Sequence, residues 1–337
     1  MNGLSYKKAG VDIDLGASTK SRIRELAAAT HSENVLEGIG LFSGFYRLEQ
    51  GEYREPVIVS SIDGVGTKVR IAQMMGVYDT IGADLVNHCV NDIIVCGAEP
   101  AFFLDYIAAD TLDPDMVAGI VRGIAHACRK AGCALVGGET AEMPGIYARN
   151  SFDVAGAIVG IVEKSAIING RSIQAGDVVV GLAASGLHTN GYSLARKVFF
   201  EEKGYTVDKR LPDMEATLGE ELLHVHRSYL HAVRQVRSNS AVRGIAHITG
   251  GGIVGNTTRL LRKGLTLKID WSAWQWPPIF EHIRREGDVA IEEMRKVFNL
   301  GIGLTLIVAP SGVDVITRIC TEAGEGAQII GEIVLQS

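Results

Sequence analysis

Short apolar runs alternate with longer amphipathic ones along most of the chain. Residues 57–62 carry the β-branched apolar pattern of a strand, and residues 80–95 place Ile81, Leu85, Cys89 and Ile93 on one helical stripe. Residues 101–107 predict a second strand. Asp113-Pro114 then opens a helix, because Asp caps a helix N-terminus and Pro suits the first helical position. That helix runs to about Lys130 and stops near Gly132. Residues 133–136 predict a short strand that delivers Gly137-Gly138-Glu139-Thr140, and residues 153–163 form a long β-rich run. Turn signals at residues 168–171 and 174–177 put a domain boundary near residue 170. The alternation then restarts: a strand at 177–182, a polar loop at 183–191, a helix from Tyr192, a helix over roughly 220–236, and a strand at 245–248. A glycine loop at 250–255 and strands near 265–269, 304–308 and 328–334 complete it. The pattern predicts an α/β fold with mixed sheets in two domains, residues 1–170 and 171–337.

Composition narrows the class. A chain of 337 residues suits two cores, and 47% hydrophobic with 21% charged residues describes a folded protein. The net charge of -6 argues against general binding to nucleic acid or an anionic membrane, while leaving room for a local basic site. The five cysteines are odd in number and include no C-x-x-C, so neither a disulfide framework nor a cysteine zinc site is expected. A reducing, cytoplasmic setting is the expectation. The N-terminal residues lack the apolar core of a signal peptide, and no run approaches the ~20 apolar residues of a membrane helix. Cys89 and Cys96 read as buried packing. His224, His226, His231 and His282 sit in charged helical stretches and read as solvated.

The polar residues gather where strands end, which is where open α/β sheets place ligands. Asp63-Gly64-Val65-Gly66-Thr67-Lys68 follows an apolar strand. Its glycines let a backbone approach a ligand, its N–H groups can form an anion nest, Lys68 adds a point charge, and Asp63 could hold a cation. A tight turn with a surface lysine is the other reading, since the Walker A spacing is absent. In the helix beyond it, Asn87 with Asn91 and His88 with Asp92 fall four residues apart and form a polar strip. Asp92 could join Asp63 on Mg²⁺, or the strip could be a solvated face. Glu139 and Glu142, two carboxylates after a short strand, could bind metal or the amines and hydroxyls of a substrate, or Glu139 could cap the following segment. His188, with Thr189 and Asn190, sits in a strand-to-helix loop, where His188 could act as acid, base or phosphate donor and Asn190 could cap the helix. Residues 250–255 match G-x-G-x-x-G with Asp270 about 20 residues on, a formal dinucleotide fingerprint after a strand poorly suited to that role. A phosphate or polar substrate at this turn is the other use. Trp271, Trp274 and Trp276 form an aromatic cluster without the basic stripe of a single-strand binder.

Taken together, these segments resemble one family, phosphoribosylformylglycinamidine cyclo-ligase, also called AIR synthetase. The resemblance is carried by residues 5–14, 63–68, 89–92, 97–100, 103–106 and 137–147, then by 185–197, 247–252, 274–277 and 298–301. Asp-Gly-Val-Gly-Thr-Lys by itself reaches only a wider ATP-binding superfamily. The resemblance implies ATP-dependent closure of formylglycinamidine ribonucleotide to 5-aminoimidazole ribonucleotide, with ADP and phosphate released through a phosphorylated amide. It implies ATP and Mg²⁺ as cofactors, and a homodimer whose first-domain strands pair across the interface. Carried over residue by residue, Asp63, Gly64, Gly66, Thr67 and Lys68 form the phosphate and metal loop, Asp92 is a second metal ligand, and Lys7 with Asp12 and Asp14 form a strap over nucleotide. Glu139, Thr140, His188, Asn190, Gly251 and Gly252 face substrate, and His188, Lys68 and Asn190 are the expected catalytic residues. Two readings from other classes stand beside this one: a dinucleotide-dependent oxidoreductase built on residues 250–255, and a non-catalytic ATP-binding subunit.

Overall fold

The computed structural model describes residues 13–40, 42–49 and 51–336. Lys7 and Asp12 lie outside the described residues. Helix α1 (Ile13–Ala28) leads into a two-stranded ladder of β1 (Val35–Glu37) and β2 (Phe45–Tyr46). The first large sheet is built from β3 (Pro56–Gly64), β4 (Glu99–Ala109), β5 (Ala134–Glu142) and β6 (Phe152–Glu163). Helices α2 (Val69–Met75) and α3 (Asp79–Ile94) come between β3 and β4, and α4 (Pro114–Ala131) between β4 and β5. The strand order is β3-β6-β4-β5, with β4 and β5 parallel and the other neighbours antiparallel. Helix α4 begins and ends as its sequence predicts: Asp113 Oδ1 accepts from the N–H of Asp115 at 2.9 Å, and Gly132 closes the helix in the left-handed region.

The second sheet starts with β7 (Val178–Ala183). Helix α5 (Tyr192–Arg196) continues into a wider turn, followed by α6 (Leu218–Leu222), α7 (Leu230–Val236), β8 (Val242–His247), α8 (Gly252–Thr257) and β9 (Leu265–Ile269). Helices α9 (Pro278–Glu286) and α10 (Ile291–Val297), strand β10 (Ile302–Val308), helix α11 (Val313–Glu322) and strand β11 (Ala327–Leu335) close the chain. The order β8-β10-β7-β11-β9 is antiparallel at every step. One apolar cluster joins Leu85, Ile93, Phe103 and Ile158 to Val180, Leu182, Tyr229 and Leu304, so the core runs from one sheet into the other. A smaller cluster containing Ile173, Val179, Ile253 and Ile330 lies under the glycine turn. Among the described residues, no helix is long and apolar enough to cross a membrane.

Four expectations change. The helix expected over 220–236 is two short helices with a non-helical segment between them, because side chains of α3 capture that segment's backbone. Strand β5 extends through Glu142, so Glu139 and Thr140 are strand residues paired beside Tyr106 and Ile107, not loop residues. His226 and His282 are buried, while His224 and His231 are exposed as expected. The dinucleotide fingerprint also fails. Strand β8 pairs antiparallel with β10, and β9, which leads to Asp270, is the opposite edge of the sheet, about 19 Å away at ~4.8 Å per strand. A dinucleotide site needs parallel neighbours flanking one crossover, and residues 245–270 do not form that unit.

Candidate active site

Helix α3 supplies one wall of the site. Asp84, Asn87, His88 and Asn91 point away from the first sheet and against the segment that joins α6 to α7. Asn87 Nδ2 donates to the carbonyl of His226 at 2.7 Å, Asn91 Nδ2 to that of Arg227 at 2.8 Å, and Asn91 Oδ1 accepts from the N–H of Tyr229 at 3.0 Å. Asp84 Oδ1 accepts from the N–H of His226 at 2.6 Å. These bonds satisfy backbone groups that a continuous helix would have satisfied internally, which is why the helix breaks here.

The point charge expected at Lys68 for phosphate is buried instead. Its ammonium lies 2.7 Å from Asp84 Oδ2, with both side chains fully inaccessible, and donates to the carbonyls of His224 at 2.7 Å and His188 at 3.3 Å. Burial pushes the lysine down and the aspartate up, and their mutual attraction opposes both shifts. Lys68 therefore pins the turn after β3 to two loops of the second half. Thr67 Oγ1, 3.2 Å from Ser193 Oγ, marks the same seam.

Above this pair, a chain of polar contacts crosses between the two halves. Asp63 Oδ2 lies 2.8 Å from His88 Nε2. His88 Nδ1 is 2.7 Å from Thr189 Oγ1, which is 3.3 Å from His226 Nδ1. His226 Nε2 is 3.0 Å from His247 Nε2, and His247 Nδ1 is 2.8 Å from Asp92 Oδ1. Ser61 donates to Asp92 Oδ2 at 2.9 Å. Burial alone would raise both carboxyls, but His88 beside Asp63 and His247 beside Asp92 hold them below the ordinary range. Burial works against a charged His88, yet Asp63 and then Asp92 raise its pKa. His226 is driven well below its ordinary value, by burial first and then by the neighbouring rings.

His188 stacks on His226, with ring centres 4.0 Å apart and planes at 22°. Its backbone is in the left-handed region, φ 62°, and its Nε2 accepts from the N–H of Ser185 at 3.2 Å. Its Nδ1 is buried without a hydrogen-bond partner. Burial, then nearby cationic groups, push its pKa well below the ordinary value, so the ring is neutral at neutral pH. Gly303 on β10 makes room for it: a Cβ there would lie 2.1 Å from Tyr229 Oη and 2.5 Å from His188 Cε1. Asn190 does not cap α5, whose cap residue is Gly191; its Nδ2 is buried without a partner, and its Oδ1 lies near Gly250. The glycine turn is fixed by Asn256, whose Nδ2 donates to the carbonyls of Thr249, Gly250 and Gly252.

Comparison with known proteins places this arrangement. The AIR synthase related protein N-terminal domain family matches residues 48–162, and its C-terminal domain family matches residues 174–336. A phosphoribosylformylglycinamidine cyclo-ligase of Thermoanaerobacter pseudethanolicus is 48% identical over 331 residues, 98% of either chain. One from Trichlorobacter lovleyi is 48% identical over 98% of this chain and 94% of its own. The chain belongs to the phosphoribosylformylglycinamidine cyclo-ligase family. In fold, this cyclo-ligase family member is also similar to thiamine-monophosphate kinase from Stenotrophomonas maltophilia, with a TM-score of 0.71 at 15% identity, covering 94% of this chain and 93% of that one.

Of the residues expected to serve the cyclo-ligase site, Asp63, Gly64, Gly66, Thr67, Asp92, His188 and Asn190 line the same seam, and Asn190 lies beside Gly250, the chain neighbour of Gly251 and Gly252. Glu139 and Thr140 do not join them within this chain: β5 and β3 are opposite edges of the first sheet, about 14 Å apart at ~4.8 Å per strand. Sequence reading passed over Asp84 and misplaced His226. It noticed His88 and His247 without placing them in the site. The available signal was the spacing 84-88-91, which puts three polar groups on one side of an otherwise apolar helix.

Proposed function

We propose that this chain closes the imidazole ring of 5-aminoimidazole ribonucleotide from formylglycinamidine ribonucleotide, consuming ATP and releasing ADP and phosphate. The observation that carries this reading is the end-to-end identity with proteins named for that activity. An amide oxygen is a poor leaving group. Transfer of the γ-phosphoryl group to it gives an iminophosphate, which the amidine nitrogen of the same molecule attacks, expelling phosphate. Holding the substrate folded supplies proximity worth ~7–11 kcal/mol in well-oriented cases.

Asp63 and Asp92 suit Mg²⁺: their carboxylates lie 2.8 and 3.9 Å from His88 Nε2, are 46% and 25% exposed, and stay ionised at neutral pH. Mg²⁺ bound there would neutralise charge on the phosphates of ATP. Gly64, Gly66 and Thr67 would line those phosphates, with Lys7 over the nucleotide. Lys68 serves by pinning the loops, since its charge is spent on Asp84. His188, a neutral ring with a free buried nitrogen, suits proton handling better than phosphate countercharge. Asn190, Gly251 and Gly252 would hold substrate, and Glu139 and Thr140 would reach it from a second copy. The division into residues 1–170 and 171–337 follows the two large sheets. A homodimer is supported by the outer face of the first sheet, where Ile58, Ile62, Leu104 and Tyr106 stand exposed. A cytoplasmic setting fits the five free cysteines.

The deciding experiment is phosphate release with Mg²⁺-ATP and formylglycinamidine ribonucleotide. One ADP and one phosphate should appear per 5-aminoimidazole ribonucleotide, and none without the ribonucleotide. ATP binding with no ribonucleotide-dependent turnover would instead favour a non-catalytic subunit. His188→Ala should lower kcat by about 10²–10⁴-fold if the ring handles a proton; wild-type turnover would remove it from the mechanism.

A further inference from the structure

The three tryptophans of the chain, Trp271, Trp274 and Trp276, all line one cavity of about 650 Å³ in the second half. The segment that carries them, residues 271–276, holds no basic residue. The fold supplies two, Arg284 from α9 and Arg295 from α10. Arg284 Nε donates to Glu281, also in the cavity wall, at 3.1 Å, so these two charges offset each other. Arg295 is different. Its Nε is buried without a hydrogen-bond partner, and no carboxylate among the described residues pairs with its guanidinium. The guanidinium lies over the Trp271 ring, 4.2 Å from the ring centre. That stacking engages the flat face of the cation, while its N–H donors lie in the guanidinium plane and stay uncommitted. Trp274 stands beside Trp271, with ring centres 5.6 Å apart, and is fixed by donating from Nε1 to the carbonyl of Leu300 at 2.8 Å.

We propose that this cavity is a second ligand site, separate from the seam, for one nucleoside 5′-monophosphate, with its phosphate on Arg295 and its base against the indoles. Small-molecule pockets run to ~300–1,000 Å³, and this cavity falls inside that range. An indole face stacks on a flat heteroaromatic base whatever hydrogen-bonding edge the base carries. A planar guanidinium meets two phosphate oxygens at once. An aromatic wall alone would take any flat apolar molecule, and a lone arginine any anion. Joined in one cavity, they select a molecule that has both parts. A cationic ligand is disfavoured, because Glu281 is already paired with Arg284. A nucleic-acid strand is disfavoured too, because one uncommitted cation neutralises one phosphate and the chain as a whole carries a charge of -6. The cavity shares no lining residue with the seam. It does back onto the glycine turn, since a Cβ at Gly252 would lie 2.0 Å from the carbonyl oxygen of Arg295, so the test has to separate the two.

The chain has no other tryptophan, so its indole fluorescence reports on this cavity alone. The full chain is titrated with adenosine monophosphate, and separately with adenosine and with inorganic phosphate, exciting at the red edge of indole absorption. The expected result is a saturable change with adenosine monophosphate, at least about tenfold tighter than with either fragment. Arg295→Met should weaken that binding about tenfold or more and leave turnover without adenosine monophosphate unchanged. Arg295→Lys should recover only part of the loss, because an ammonium lacks the planar fork. Excess formylglycinamidine ribonucleotide, or a non-hydrolysable ATP analogue with Mg²⁺, should not displace the ligand. No saturable change, phosphate binding as tightly as the nucleotide, undiminished binding by Arg295→Met, or displacement by the ribonucleotide overturns the proposal. Should Arg295→Met fail to fold, the wild-type titrations and the displacement decide. A protein that ignores adenosine monophosphate yet forms 5-aminoimidazole ribonucleotide loses this site and keeps the cyclo-ligase reading. The reverse outcome removes the reaction and leaves the site.

Discussion

Along α3, Asp84, His88 and Asn91 are buried; on the outer face of the first sheet, Ile58 and Ile62 are 66% and 72% exposed. Both regions depart from the usual division of polar outside and apolar inside, in opposite directions. The buried strip finds its partners in the same chain: the backbone between α6 and α7 meets Asp84, Asn87 and Asn91 with complementary groups, and Asp63 and Thr189 meet His88. The exposed face finds none among the described residues, which is why we propose a second copy as its cover. The difference teaches that a departure from pattern identifies a surface needing a partner, and that hydrogen-bond accounting tells whether the partner is already present.

Breaking the buried strip should have the largest effect. Asp84→Ala leaves Lys68 charged, buried and unpaired, and should cost about 3–5 kcal/mol in urea unfolding. Adding Lys68→Met should restore most of that loss; a double variant no more stable than Asp84→Ala would show that the pair is not the source. Acid should act on the same seam more gently. The folded-state pKa values of His188 and His226 lie below the ordinary 6.5, so below that pH the unfolded chain binds more protons and stability falls with pH. The slope should reach about 1.4 kcal/mol per pH unit per ring. His88, with its raised value, contributes in the opposite sense: its stabilisation is full below pH ~6.5 and is lost as pH rises through its folded value. Thermal unfolding between pH 5 and 7.5 checks this, and a flat profile below pH 6.5 would mean that the rings are hydrated. The smallest effect on the fold should come from the exposed face. Ile62→Asp should change the stability of one chain by no more than about 0.5 kcal/mol, yet convert a dimer to monomer in sedimentation. A variant that still sediments as a dimer would move the interface elsewhere.

Much of the architecture was legible because local rules wrote it. The cap at Asp113, the left-handed stop at Gly132 and the apolar stripe of α3 each depend on neighbours a few residues away. The site was legible in part. Asp63, Asp92 and His188 stand at strand or helix ends where chemistry gathers, whereas His226 looked like a charged-helix residue. Its true setting depends on Asp84 and Asn87, 142 and 139 residues away.

The sequence by itself determined the two alternating halves, the main helix boundaries and, through motifs spread over nearly the whole chain, the family. Only the tertiary structure decided that Lys68 faces Asp84, that the helix over 220–236 breaks, and that the ring nitrogens line up between Asp63 and Asp92. The reason is physical. Periodicity and capping are encoded within a turn or two of chain, but hydrogen-bond partners and burial are set by residues brought together from well outside that window, 16 positions apart for Lys68 and Asp84 and 142 for Asp84 and His226.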